Sequence, residues 1–175
     1  MAKKFIITLS ILIVSLVLIG FVLPSNTEVS RSIVIHRDVN SVFQMVNNYH
    51  EFSKWSPWAR KDAATQYTFT GPYTGVGAKM SWHSENSQVG SGSQEIIESI
   101  PSKKVAVKLE FDGQGSANAY YLIDAVDSTE TLLTWGFKTE HRMNIISRYF
   151  GLMLDSWVGA DYEEGLNNLK MLLET

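Results

Sequence analysis

From Phe5 to Leu23 the chain runs nineteen residues without a charge, FIITLSILIVSLVLIGFVL. As a helix rising about 1.5 Å per residue, this run spans the roughly 30 Å of bilayer hydrocarbon. No polar face interrupts it, so it fits poorly as a buried helix of a soluble domain. Two readings compete. A cleaved signal peptide normally carries an apolar stretch of about 7–15 residues that ends at a small-x-small site. Here the stretch is longer, Phe21-Val22-Leu23-Pro24 offers no such site, and no cysteine is present for lipid attachment. A retained transmembrane anchor is the preferred reading. Lys3 and Lys4 precede the run while Glu28 and then Arg31 follow it. The positive-inside bias therefore keeps the N-terminus in the cytoplasm. The expectation is a single-pass protein of the cytoplasmic (inner) membrane with its domain on the periplasmic or extracellular side.

The chain thus divides into an anchor and linker, residues 1–27, and one domain, residues 28–175. About 150 residues suffice for a real core or an internal cavity. Hydrophobic residues make up 45% and aromatic ones 11%, which excludes disorder. Without Lys3 and Lys4, 13 basic residues face 18 acidic ones, a net charge near −5. No Lys/Arg run exceeds two residues, so nucleic acid is not an expected partner. The absence of cysteine excludes disulfides, thiol nucleophiles and cysteine-ligated metals, and suits an oxidising compartment.

Periodicity supplies the elements. Glu28 to Ile35 alternates as a strand, with Val29, Ile33 and Ile35 on one parity. Asp38 is a candidate N-cap for a short helix whose Val39, Val42, Phe43 and Val46 fall at i, i+3, i+4, i+7. A further helical turn or two covers Glu51 to Trp55, stopped by Pro57. From Thr65 to Lys138 the period becomes two. Strands are predicted at Thr65–Thr70, Gly77–His83, Gly92–Ile100, Lys104–Phe111, Ala117–Val126 and Thr131–Lys138, separated by Gly, Pro, Asn and Asp turn signals. Such short connections imply an antiparallel meander. Ile145 to Leu173 is helical, with Leu154, Trp157/Val158, Tyr162, Leu166, Leu169 and Leu172/Leu173 as its apolar stripe and Gly151 as a candidate break. A curved sheet of about seven strands wrapped around one long C-terminal helix, an α+β fold, buries every stripe.

That order, carried by particular residues, resembles a known superfamily. The matching pieces are Arg31–Ile35 with Asp38 and Val42-Phe43, Trp55-Ser56-Pro57-Trp58, Gly75-Val76-Gly77 leading to Ser81-Trp82, Gly92 through Glu98 with Pro101, Thr131–Trp135, and the closing Tyr162–Lys170. Together they resemble the START-like helix-grip (SRPBCC) superfamily, in its polyketide cyclase/dehydrase and lipid-transport branch, from Glu28 to Glu174. The resemblance implies a cavity between sheet and long helix. It does not fix an activity, because members include lipid carriers, hormone receptors, aromatase/cyclases and co-chaperone domains.

The candidate site follows from parity. The side chains expected to face a cavity are Met80, Trp82, Val107, Phe111, Tyr121, Trp135, Phe137, Met153 and Trp157. They are large and apolar, so the expected partner is a lipid or other small apolar molecule, oriented by Tyr121 or an indole N–H. Trp55 and Trp58 are expected to cap the open end of the sheet, with Trp55 serving stability. Catalytic readings are weaker. Glu95, Glu98 and Asp112 could act as acids or bases only if buried, and a one-faced sheet puts them in solvent. His83-Ser84-Glu85 matches half of the zinc-deaminase signature but lacks its P-C-x-x-C partner. His36, His50 and His141 are scattered, unlike the close ligand pairs of zinc sites. Gly75-Val76-Gly77, Gly90-Ser91-Gly92 and Gly113-Gln114-Gly115 read as turns and bulges, not phosphate loops. No metal, cofactor or catalytic residue is implied. Gly159 and Gly165 each cost a helix about 1 kcal/mol relative to Ala. They call for close approach to the sheet, or for space left to a ligand, at different ends of the helix. The alternatives to a binding module are a cyclase/aromatase-type enzyme and a monomeric interaction domain with a filled core.

An alkaline phosphatase fusion after Thr175 tests the topology in a bacterial host. It should be active, and the fusion should migrate at its full uncleaved length. An inactive fusion overturns the orientation, and a shortened one overturns the retained anchor.

Overall fold

The computed structural model describes residues 1–113, 115–141 and 144–175. Gln114, in the third of the G-x-G fragments, lies outside them. Helix α1 (Ala2–Val22) contains the apolar run and is long and apolar enough to cross a membrane. Strand β1 (Asn26–Ile35) begins two residues before the expected start. Its extra residues Asn26 and Thr27 pair with Glu140 and Thr139, so the linker is shorter than the sequence suggested.

Three short helices follow. In α2 (Val39–Val46) the Asp38 carboxylate accepts from the backbone N–H groups of Asn40 and Ser41, at 3.0 and 3.1 Å. This is the N-cap that its position implied. Helix α3 (Tyr49–Trp55) is capped by Asn48, whose side-chain oxygen accepts from the His50 N–H at 2.9 Å. Pro57 does end α3, but it also opens α4 (Pro57–Lys61) from the N1 position. Proline suits that site because its missing N–H had no intrahelical acceptor.

The remaining strands are β2 (Gln66–Thr70), β3 (Lys79–His83), β4 (Ser91–Ile100), β5 (Lys104–Phe111), β6 (Gly115–Ala125) and β7 (Thr131–Glu140). They form a seven-stranded antiparallel sheet in the order β1-β7-β6-β5-β4-β3-β2. The meander is as expected, and β1 returns to pair with the last strand. One irregularity escapes simple alternation, a register shift in β4 between Ile96 and Glu98. The inward parity is dense: Val105, Val107, Ile123, Leu133 and Trp135 are all buried, together with Ile35 of β1.

Helix α5 (Ile145–Glu174) is one continuous helix of 30 residues, so Gly151 does not break it. Its glycines instead let it lie close against β1 and β7. A Cβ on Gly151 would meet Thr27 Oγ1 at 2.5 Å and His141 Nε2 at 2.6 Å, and one on Gly159 would strike the Arg31 guanidinium. At Gly165 it would lie 2.7 Å from Trp135 Cζ3 and 3.1 Å from Pro57 Cδ. The helix is also stitched to β1 by polar groups. Arg31 donates to Glu163 at 2.6 Å and to Asp155 at 2.9 Å, and Lys170 Nζ donates to the Val34 carbonyl at 2.8 Å.

Replacing Gly165 by Ala separates propensity from packing. Propensity alone favours Ala by about 1 kcal/mol, whereas overpacking costs about 1–3 kcal/mol. Urea unfolding should show a net loss of stability. A net gain would mean that the helix does not rest on Trp135.

Candidate functional site

The flank of α5 that turns away from β1 does not reach the sheet. Between it and the inward faces of β3–β7 lies a space of about 600 Å³. Helices α3 and α4 close one end through Phe52, Ser56 and Trp58, and the β3–β4 turn at Ser87–Gly90 rims another side. Leu154 and Val158 of α5 face this space, while Gly151 and Gly159 face β1 and its neighbour. Close contact and cavity therefore occupy different flanks of the helix along most of its length. They were expected at different ends.

Five of the nine expected side chains, Met80, Val107, Tyr121, Trp135 and Phe137, are buried in the cavity wall. Trp82 and Phe111 are half-buried at its rim, ring centroids 6.0 Å apart. The Trp82 indole lies over its cross-strand partner Gly92, where a Cβ would come within 2.8 Å of it. Trp157 borders the cavity from the helix but is half exposed. Met153 does not line it. At its position on α5 the side chain points outward, because its helical neighbours Phe150, Leu154 and Trp157 take the cavity-side arc. Phe52, Gln94 and Tyr162 complete the wall without having been foreseen, together with Tyr67 and with Trp58, expected as a cap of the open end. Gln94 was readable, since it shares the inward parity of Gly92 and Ile96; its amide nitrogen sits 3.9 Å from Met80 Sδ. Trp58 comes from α4, an element not expected at all.

Trp135 is the centre of the wall. Its indole stacks on Tyr162 at 3.9 Å and 9°, with Tyr121 on another side at 5.4 Å and 28°. Trp55, Trp58 and Phe52 meet it edge-on at 5.3, 5.8 and 6.4 Å. Such pairs add about 0.5–1.5 kcal/mol each beyond burial. Trp135 therefore serves the core and lines the cavity at once.

Polar side chains such as Gln94, His141 and Asp161 join this wall, but aromatic and aliphatic ones outnumber them. Burial pushes the Tyr121 hydroxyl well above its usual range, helped by the neighbouring Tyr162 and Tyr49 phenols. Burial likewise raises Tyr162. Both phenols keep their protons at physiological pH, so they can donate a hydrogen bond but cannot serve as bases. The Asp161 carboxylate is held by Lys61 at 2.5 Å. Burial, with Arg148 nearby, lowers His141, whose ring is 2.8 Å from Thr27 Oγ1. Two wall groups are buried with no hydrogen-bond partner among the described residues, Ser56 Oγ and Trp135 Nε1. An unmet buried donor costs about 1–3 kcal/mol.

The acidic residues weighed for catalysis lie elsewhere. Glu95 pairs in register with Lys79 and Lys108 on the outer parity, Glu98 is bound by Lys104 at 2.6 Å, and Asp112 is exposed in a turn. The histidines are dispersed as expected. His36 contacts Glu130 at 2.7 Å, His83 contacts Ser91, and His50 stacks on Phe69 and Tyr73. No group of three His, Asp or Glu among the described residues could hold a metal.

A sheet gripping one long helix over an apolar space is a recurrent design, and the sequence carries its signature from end to end. The family model for polyketide cyclase / dehydrase and lipid transport matches residues 26–174. The chain belongs to this family. Solved structures agree on the polyketide cyclase/dehydrase fold. A protein from Chromobacterium violaceum is 14% identical with a TM-score of 0.61, over 85% of this chain and 99% of its own. One from Nitrosospira multiformis is 15% identical with a TM-score of 0.60, over 83% and 95%. A third, from Thermobifida fusca, is 16% identical with a TM-score of 0.62, over 82% and 90%. At such identities the likeness concerns fold alone. No curated protein matches the sequence.

Truncating Ser56 to Ala gives an inverted test of the wall. An ordinary buried truncation destabilises, but removing an unpaired hydroxyl should raise the stability of the ligand-free domain by up to about 1 kcal/mol. A loss larger than that, measured by thermal melting, would show that the hydroxyl is already satisfied.

Proposed function

We propose that this member of the polyketide cyclase/dehydrase and lipid transport family is a membrane-anchored module that binds or carries a lipid or other small apolar molecule, without transforming it. The observation that carries this reading is the wall of the 600 Å³ space, in which Trp, Phe, Tyr, Met, Leu and Val side chains outnumber the Ser, Gln, Thr, His and Asp ones. Its volume falls within the range of small-molecule pockets, about 300–1,000 Å³. Of the titratable groups in the lining, two phenols are held protonated, the Asp161 carboxylate is bound to Lys61, and the His141 ring is engaged by Thr27 Oγ1. The ligand is mostly hydrocarbon with one oxygen function, oriented by Tyr121. Helix α1 anchors the protein in the cytoplasmic membrane, N-terminus inside, and holds residues 28–175 as a monomeric domain on the outer side.

Affinity should follow buried apolar area at roughly 25 cal/mol per Å² before association costs. Fatty acids, sterols and isoprenoids, titrated against tryptophan fluorescence, should give a saturable change for at least one class. Filling the space through Ala119→Phe should weaken that binding at least about tenfold, as a pocket-filling clash of a few kcal/mol implies, while the domain stays folded. Trp135→Ala should lose both binding and stability, whereas Trp55→Ala, behind the cavity lining and not part of it, should chiefly lose stability. If no apolar compound binds the wild-type protein, the carrier reading fails.

A further inference from the structure

The first three turns of α5 leave a row of large apolar side chains uncovered. Ile146, Phe150, Met153 and Trp157 are 70%, 55%, 46% and 50% exposed. Their spacing, i, i+4, i+7 and i+11, places them on one face of the helix. Between Ile145 and Trp157 the only charged residues are Arg148 and Asp155, and both are engaged elsewhere. Asp155 is bound to Arg31 at 2.9 Å. Arg148 donates to the carbonyls of Phe21 and Leu23 at 3.0 and 3.1 Å, at the C-terminal end of α1.

Helix α1 itself packs on the adjoining flank. Gly20 is buried so closely on Ile145 that a Cβ there would overlap it, and the Tyr149 hydroxyl donates to the Leu16 carbonyl at 2.6 Å. Leu16 lies seven residues before the end of the apolar run, about 10 Å along the helix axis. Half of the hydrocarbon layer is only about 15 Å deep. A helix touching α1 at Leu16 and Gly20 is therefore level with the hydrocarbon of the leaflet on the domain's side. Its exposed row has acyl chains, not water, as its natural surroundings. Phe150 and Trp157 belong both to this row and to the rim of the cavity.

We propose that the row Ile146–Phe150–Met153–Trp157 is a second membrane contact, which seats the domain in the leaflet that α1 enters and opens the cavity rim directly onto lipid. This deepens the carrier reading and rests on α1 spanning the bilayer. The cargo then exchanges laterally with the membrane, and a molecule resident in that leaflet, with its polar end at the interface, is the ligand class that fits.

The chain has no cysteine, so single labels can be placed in the full-length protein. Met153→Cys, Val17→Cys and Asp127→Cys, each carrying an environment-sensitive fluorophore, are reconstituted into phosphatidylcholine/phosphatidylglycerol vesicles. Val17 reports on the span, and Asp127, exposed in the β6–β7 turn, reports on water. The label at 153 should be quenched by lipids brominated on their acyl chains at least twofold more than the label at 127, and should be shielded from iodide. An iodide-accessible label at 153 beside a lipid-quenched label at 17 overturns the membrane seat and leaves the anchor standing. Labels at both 17 and 153 open to iodide overturn the anchor, and the seat with it. A label at 153 that brominated lipid does not reach and that becomes shielded only as protein density rises overturns the proposal in favour of a second copy covering the face. Saturable tryptophan-fluorescence binding of a fatty acid, measured in parallel, reports separately whether the cavity binds at all.

Discussion

The architecture hangs on the way one helix meets one edge of the sheet. Helix α5 lies against β1 and β7 because Gly151, Gly159 and Gly165 remove the side chains that would hold it away. At the bottom of that contact Trp135 stacks flat on Tyr162, and Leu166 and Leu169 are buried beside it. A helix is about 10 Å wide with its side chains, and the strands far from β1 curve away from it. Pinning the helix to one edge therefore leaves the other flank unsupported. The space above Met80, Val107 and Ala119 is the geometric remainder of that one-sided grip.

What the remainder can do chemically is limited by its walls. A low-dielectric enclosure favours neutral groups, and the tyrosines in it stay protonated. At the rim the Asp161 carboxylate is taken up by Lys61, and on the opposite flank of the helix Arg31 pairs with Asp155 and Glu163. Among the described residues, Ser56 Oγ and Trp135 Nε1 of this wall are buried without a hydrogen-bond partner.

The same helix joins the domain to its anchor. One end closes the core at Trp135, and the other meets α1 through Ile145, Arg148 and Tyr149. Arg148 satisfies carbonyls that the end of α1 would otherwise leave unpaired, a costly omission near hydrocarbon. The link between α1 and the domain is thus a packed junction as well as a covalent one.

Much of this was written in local pattern. The apolar run of α1, the Asp38 cap, the two-residue period of β2–β7 and the inward parity of Met80, Val107, Tyr121, Trp135 and Phe137 follow from rules acting over a few residues. The class of fold followed from their order. Other features depended on contacts distant in sequence. Pro57 could be read as a stop but not as the start of α4, because that depends on where Trp58 finds its partners, Trp135 and Tyr162. Gly151 looked like a break, and only its fit against Thr27 and His141 explains why α5 runs through it. Met153 shares the apolar character of its neighbours, so composition could not say that it faces outward. That was decided by the angle at which the helix settles on β1, a property of the assembled sheet and of no single segment.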